Sequence, residues 1–408
     1  RYVLSCVHGL PLDLFLMVPS CVPATHLETS GAKLTADGIQ TIMGWNEAIG
    51  LGEMMNFPGV IAGDGEMLLR LAVARGKAID GHAPGLSGKD LQAYIATGIL
   101  SDHECTTLEE AKEKLHLGMY IMIREGSSEK NLDALLPLVT DKTYSRCLFV
   151  VDDRTCSDLL NDGDIDAVVR KAISRGLDPV RAIQMATINA ARYFWLDWIG
   201  AIAPGYFANL LVINDLSTLA IESVFYRGQL VASEGEALFS AEKVEVEEPR
   251  HTVNIRPFTI DALKIPAARW NKPVIELVPD QIITRRLKVR AKEADGFIVS
   301  DTERDILKLV VVERHKATGN IGLGLVKGFG LKRGAIASSI AHDSHNIVAV
   351  GTSDEDIFAA VKEIQKLDGG LVVAADGKPL KSLPLPIAGL LSDEPLESVA
   401  RKLEELER

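Results

Sequence analysis

No apolar stretch in the 408-residue sequence approaches the roughly 18–20 residues that cross a bilayer, so a membrane-spanning helix is excluded. Cysteine is scarce. The five present (Cys6, Cys21, Cys105, Cys147 and Cys156) are odd in number and lack Cys-x-x-Cys spacing, which argues against a disulfide framework or zinc knuckle. That usage suits a reducing, cytoplasmic setting. Positive charge is also in deficit: 44 Lys and Arg face 56 Asp and Glu, a net charge of −12. An acidic chain without a basic block is a poor candidate for binding a nucleic-acid backbone. Repeats and low-complexity tracts are missing, and 47% hydrophobic with 25% charged residues excludes disordered and fibrous classes. At roughly 150 residues per domain, the length predicts two to three domains.

What is present begins as alternating short apolar runs and helical patterns, the signature of a parallel sheet or barrel. Leu12 to Val18, Ile49 to Met54, Ala78 to Gly81, Ile99 to Asp102, Met119 to Ile123 and Cys147 to Val151 read as six strands, each followed by a helix or turn. The helix after Gly63-Asp64-Gly65 is predicted to bury Leu68, Leu71 and Ala72. Another starts at Ser87 and stops at Gly98, and Thr106 with Glu109 forms a capping box for the next. Residues 165–195 read as helical, with Asp178-Pro179 as N-cap and first helical residue. A small β module follows, with a strand from Asn209 to Ile213 and a hairpin-like stretch from Ser223 to Gly235. Residues 240–256 read as a linker. A second α/β unit starts near 257, with strands at 283–290, 296–300 and 308–313, a glycine-rich loop at 319–334, and a helix capped by Ser353 and ending at Gly369. The chain opens at Arg1, without Met, part-way through a helical pattern, so an upstream segment is expected.

In a parallel barrel, side chains just past the C-terminal strand ends converge on one mouth. Glu53, His82, His103 and Asp152 all hold such positions. Two imidazoles and two carboxylates suit a hard or borderline divalent ion, which would acidify a water at neutral pH. Asp152 beside that water could accept its proton and pass it to a leaving group. Any one of the four alone would read as a polar cap on a βα loop; their shared placement carries the prediction.

Several stretches resemble the microbial adenine deaminase family of the amidohydrolase superfamily. They include Val18-Pro-Ser-Cys-Val-Pro23, Gly52-Glu-Met-Met-Asn56, Asp80-Gly-His-Ala-Pro-Gly85, Ser101-Asp-His-Glu-Cys-Thr-Thr107, Ile123-Arg-Glu-Gly126, Asp152-Asp-Arg154 and Ala341-His-Asp-Ser-His-Asn346. The resemblance runs from about residue 1 to about residue 395. It implies a TIM-type (β/α)8 barrel over 1–195, of which strands three to eight are present, a flanking β module and linker over 196–250, and a C-terminal α/β domain over 251–408. It also implies conversion of adenine and water to hypoxanthine and ammonia in purine salvage, at a site for two divalent metal ions, Mn2+ or Fe2+, in a homo-oligomer. By the same resemblance Glu53 bridges the metals, His82 and His103 are ligands, and Asp152 both binds metal and shuttles the proton. Asp153 is the alternative for that last role, since two adjacent Asp residues leave the register open by one.

The sequence departs from that pattern in one large respect. The family takes two ligands from a His-x-His on the first barrel strand, and none of the nine histidines here has that spacing. Leu12 to Val18 matches strand three, so roughly the first hundred residues of the family architecture are expected to lie upstream. Val151, His26 and Asn209 are smaller departures.

Arg124 and Glu125 are candidates to bind an exocyclic amine or ring nitrogen, with a loop ion pair as the alternative, and His342 is a candidate at the pocket mouth. Ser20 reads as a local backbone cap, and Cys105 and Cys147 as packing thiols. Other cyclic amidohydrolase chemistry and a metal-free purine-binding protein remain rival readings.

Overall fold

The computed structural model describes residues 2–241, 244 and 249–408. Part of the expected linker at 240–256, namely 242–243 and 245–248, lies outside the described residues. The chain divides into two compact units. The first comprises Arg1–Val22, Leu34–Arg154 and Asn161–Glu245; the second comprises Pro23–Lys33, Thr155–Leu160 and Val246–Arg408.

The first unit is built on six strands: β1 (Leu16–Val18), β2 (Ala48–Met54), β3 (Ala78–Gly81), β4 (Ser101–Asp102), β5 (Tyr120–Arg124) and β6 (Cys147–Val150). The orders β1-β2-β3 and β4-β5-β6 are each fully parallel. The amide of Leu100 donates to the carbonyl of Ile79 at 3.0 Å, carrying the run from one sheet to the next. These strands are apolar on successive residues because helices cover them; Leu51, Ile79, Ile121 and Ile123 are all buried. Full burial of one such side chain stabilises the fold by about 2 kcal/mol.

Local chemistry places the helices with small departures from expectation. In the helix Gly65–Val73, Asp64 accepts from the amide of Met67, but the buried face is Met67, Arg70 and Leu71, while Leu68 is exposed. The helix Leu108–His116 is capped by Thr107, one residue later than predicted, and the carboxylate of Glu110 accepts from the amide of Thr106. Four antiparallel strands, β7 (Leu210–Ile213), β8 (Ile221–Tyr226), β9 (Gln229–Ser233) and β10 (Glu236–Ala237), complete the unit in the order β10-β9-β8-β7.

The second unit centres on an eight-stranded sheet, one face of which packs against the helix Asp354–Leu367. Ile357, Val361 and Ile364 of that helix bury against Val310, Val312, Ile347 and Val372. Ser353 caps it, accepting from the amide of Asp356, and the chain leaves through Asp368 at φ 58° and Gly369. The glycine-rich stretch predicted as a loop instead contains the strand Ile321–Lys327, paired antiparallel with Ile306–Val312. Gly322 and Gly324 alternate with Ile321, Leu323 and Leu325, so the period-two apolar pattern survives the glycines.

Candidate metal centre

Four side chains meet at the C-terminal ends of β2, β3 and β4. One ligand atom from each of Glu53, His82, His103 and Glu104 lies within 4.8 Å of all the others. Glu53 Oε2 stands 2.9 Å from His82 Nδ1 and 3.1 Å from His103 Nε2. Glu104 Oε1 stands 3.0 Å from His103 Nε2 and 3.4 Å from His82 Nδ1. Asp152 sits at the edge of the group, its Oδ2 3.7 Å from His103 Nε2.

Backbone contacts explain the convergence. A Cβ on Gly81 would fall 2.2 Å from the carbonyl oxygen of Ser101, so only glycine lets the end of β3 lie against β4. The His82 and His103 rings then stand edge-on, with centroids 5.4 Å apart. Tyr94, fully buried on its helix, accepts from the His82 amide at 3.0 Å and donates its hydroxyl proton to the Met54 carbonyl at 2.8 Å, tying β2 to β3 beside both ligands. Ser20 reaches farther than the local cap predicted for it: its hydroxyl donates to the Glu53 carbonyl.

Arg124, at the end of β5, binds the carboxylates beside His103. Its Nη1 lies 2.6 Å from Glu104 Oε1 and 2.9 Å from Asp152 Oδ2, and its Nη2 lies 2.6 Å from Glu129 Oε2 and 3.1 Å from Asp153 Oδ1. Of the two adjacent aspartates, Asp152 faces His103, whereas Asp153 accepts from the Ser128 amide and from Arg124. Glu125 is turned elsewhere, accepting from the Leu132 amide at 3.0 Å and pairing with Lys171. His342 belongs to the second unit, where its ring stands edge-on to His345 at 4.8 Å. Cys105 and Cys147 are buried thiols in the apolar core, and burial pushes Cys147 up to about 12.

The electrostatics are those of a crowded polar pocket. Burial would raise the Glu53 carboxyl, yet hydrogen bonds from His103 and His82 hold it well below the usual carboxylate range. Burial lowers and Glu104 with Glu53 raise the His103 imidazole, and the carboxylates prevail. Asp152 is raised by burial despite Arg124 and His103 nearby. Asp80, immediately upstream of Gly81, is raised to about 6 by burial, against the Tyr193 hydroxyl at 2.6 Å that favours its charged form. Glu53, His103, Asp80 and Asp152 line a cavity of about 380 Å³, with Met122 and Phe194 on its apolar wall.

Glu104 was not among the residues predicted from strand-end position. It follows His103 directly, and the sequence signal for it is only that adjacency. Its Oε2 is buried and has no hydrogen-bond partner among the described residues. A buried carboxylate oxygen left without a donor, in a group of two imidazoles and two carboxylates, is the donor set that a divalent cation completes.

Comparison with known proteins matches residues 2–231 to the amidohydrolase family and residues 281–408 to the adenine deaminase C-terminal domain. Over its whole length the chain is 59% identical to an adenine deaminase of Dehalococcoides mccartyi (strain ATCC BAA-2266 / KCTC 15142 / 195), covering 71% of that protein. This chain belongs to the adenine deaminase family. Another member, adenine deaminase 2 of Carboxydothermus hydrogenoformans, is 52% identical over all of this chain and 72% of its own length. Among solved structures, a β-aspartyl dipeptidase from Fervidobacterium islandicum AW-1 aligns with 60% of this chain and 71% of its own at 17% identity and a TM-score of 0.42. Membership in the adenine deaminase family carries with it the α/β fold of the amidohydrolases and their use of divalent metals. Among the described residues no helix is long and apolar enough to cross a membrane.

Proposed function

We propose that this chain performs the hydrolytic deamination of adenine, with a barrel over 1–195 contributing strands three to eight, a β module over 196–250 and a C-terminal domain over 251–408. The observation that carries the reading is the meeting of Glu53, His82, His103 and Glu104 at the ends of parallel strands, in a chain 59% identical to an adenine deaminase over its full length.

Glu53, His82, His103 and Glu104 would hold divalent metal, Mn2+ or Fe2+, with Asp152 at the edge completing the set. When bound, such ions supply the positive charge that acidifies a water at neutral pH. Asp152 Oδ2 is half-exposed to the cavity and lies near His103. It takes the proton of the attacking water as the C6–O bond forms, then delivers it to the exocyclic nitrogen as the C6–N bond breaks and ammonia leaves. Its raised proton affinity, set first by burial, suits a group that must both accept and return a proton. Arg124 aims Asp152, and Asp153 anchors the loop. The cavity of about 380 Å³ is of the size that takes a small heteroaromatic ring. A cytoplasmic homo-oligomer serving purine salvage is the setting this reading implies.

The test is direct. Protein supplemented with Mn2+ or Fe2+ is mixed with adenine, and ammonia and hypoxanthine are measured in equal amounts. Opening of a cyclic amide without release of ammonia from adenine would favour another amidohydrolase activity. Purine binding without metal or turnover would favour a binding protein.

A further inference from the structure

The absence of a basic block, inferred from net charge, fails at the local scale. Residues 284–292 of the second unit carry Arg285, Arg286, Lys288, Arg290 and Lys292 and no acidic residue. Five cations in nine residues stand out in a chain of net charge −12.

Part of this run is the edge strand Thr284–Leu287 of the eight-stranded sheet. Charged residues on an edge strand often serve only to prevent edge-to-edge pairing. That account suits Arg285, whose register partner across the strand pair is Glu276. It does not reach Lys288 and Arg290, which continue beyond the strand. Nor does it explain the hollow beside them, a cavity of about 440 Å³ bordered by Arg286, Lys288, Arg290 and Lys272. Trp270 and Val289 pack there against the cluster that contains Ala291 and Ile298. Glu293 is the one acidic residue in its lining. The Arg286, Lys288 and Arg290 side chains are exposed and form no ion pair or hydrogen bond among the described residues, so their charge is available to a ligand.

A cleft lined by four cations together with Trp270 and Val289 fits a ligand with a flat ring at one end and concentrated negative charge at the other. We propose that this cleft binds a nucleoside polyphosphate, its base against Trp270 and Val289 and its phosphates on Arg286, Lys288 and Arg290. Guanidinium and ammonium groups suit phosphate oxygens through charge-assisted hydrogen bonds, and an indole suits a base by stacking. The volume lies within the range of small-molecule sites. Inorganic polyphosphate shares only the anionic half of this chemistry, so the base separates the two sources. The inference is independent of the deaminase reading, because none of these residues lines the metal centre.

The test is calorimetric titration of the full chain with ATP, tripolyphosphate and adenosine at near-physiological salt. ATP should bind, and more tightly than either tripolyphosphate or adenosine. Arg286→Glu combined with Lys288→Glu, both exposed and therefore tolerated by the fold, should weaken ATP by at least about tenfold. Trp270→Phe should preserve ATP binding, while Trp270→Ala should weaken ATP and leave tripolyphosphate unchanged. Adenine turnover should be the same in the charge-reversed protein as in the parent. ATP and tripolyphosphate binding equally, ATP binding indifferent to the charge reversal, or no ATP binding would each overturn the proposal. So would an RNA oligonucleotide binding more than about tenfold tighter than ATP, since that would make the cleft part of a nucleic-acid surface.

Discussion

Arg124 Nη1 touches Glu104 Oε1 at 2.6 Å and Asp152 Oδ2 at 2.9 Å, so one guanidinium nitrogen fixes the two carboxylates that flank His103. Arg124 is buried, and its second terminal nitrogen serves Glu129 and Asp153. Removing it leaves carboxylates crowded together without their counter-charge. Arg124→Gln should destabilise the protein by roughly 3–5 kcal/mol, the usual cost of breaking a buried ion pair from one side. If Arg124 aims Asp152 for proton transfer, kcat should fall much more than KM rises. Arg124→Lys should recover stability better than turnover, because an ammonium cannot serve both carboxylates with the geometry of a planar fork. Thermal melting and steady-state kinetics measure the two effects; an unchanged melting temperature with unchanged kcat would contradict both.

The carboxylates at the centre differ in exposure, which separates their expected roles. Glu104 is buried, while the Glu53 side chain is 42% exposed toward the cavity. Glu53→Gln should lower bound metal by about one equivalent and remove nearly all activity, as expected of a residue that would hold the metal. Glu104→Gln keeps the shape but halves the donor capacity beside two histidines. Its metal affinity should fall roughly 10–100-fold without abolishing metal uptake at saturating concentration. Elemental analysis after dialysis against graded metal concentrations distinguishes the two. Full metal content in both variants would remove these residues from the ligand set.

Asp80 offers a pH test that needs no substrate. Its carboxyl rises from 3.8 to about 6 in the fold, first because of burial. A group with a raised folded value binds more protons folded than unfolded, so its contribution is full below pH 4 and is lost as pH rises through about 6. The shift corresponds to about 3 kcal/mol at neutral pH. Asp80→Asn cannot ionise and can still accept from Tyr193. In metal-free protein, the stability of this variant relative to the parent should therefore grow between pH 4 and pH 7 by a few kcal/mol. Urea melts across that range measure it, and a flat difference would show that Asp80 is not protonated in the fold.

Much of the centre was legible because position along a strand is legible. Short apolar runs bounded by turns fixed where β2, β3, β4 and β6 end, and the polar residue at each end was then a candidate by geometry alone. What escaped acts across elements. Glu104 looks like the second residue of a loop until Arg124, twenty positions on, is seen to lie against it. Tyr94 reads as one apolar position on a helix, and nothing in its spacing shows that its hydroxyl joins Met54 to His82. Ser20 reads as a loop hydroxyl although its partner is the carbonyl of Glu53. The glycines at 322 and 324 misled in the other direction, since composition suggested a loop where alternation of Leu323 and Leu325 sustains a strand. Glu125 shares its place in sequence with Arg124 but faces the other side of β5, where Lys171 and the Leu132 amide hold it.

Behind the histidines a buried pair supplies the rigidity. Lys114 Nζ donates to Asp102 Oδ2 at 2.8 Å, to Glu110 Oε1 at 2.6 Å and to the Ala83 carbonyl at 2.7 Å. Asp102 in turn accepts from the Ala83 amide at 3.2 Å and the Glu104 amide at 2.6 Å. Ala83 follows His82 and Glu104 follows His103, so this one pair pins the backbone next to both imidazoles. Lys114→Met leaves the Asp102 charge buried, and should cost roughly 3–5 kcal/mol. Asp102→Asn should cost a similar amount, and the double variant should be less damaged than the sum of the two, because neither charge then remains unpaired. If the pair also sets the spacing of His82 and His103, each single variant should bind metal more weakly than the parent under conditions where it is still fully folded. Chemical denaturation gives the coupling and metal titration gives the second effect. Strictly additive stabilities would mean that Lys114 and Asp102 do not act as a pair, and parental metal affinity in both variants would mean that the histidines are held without them.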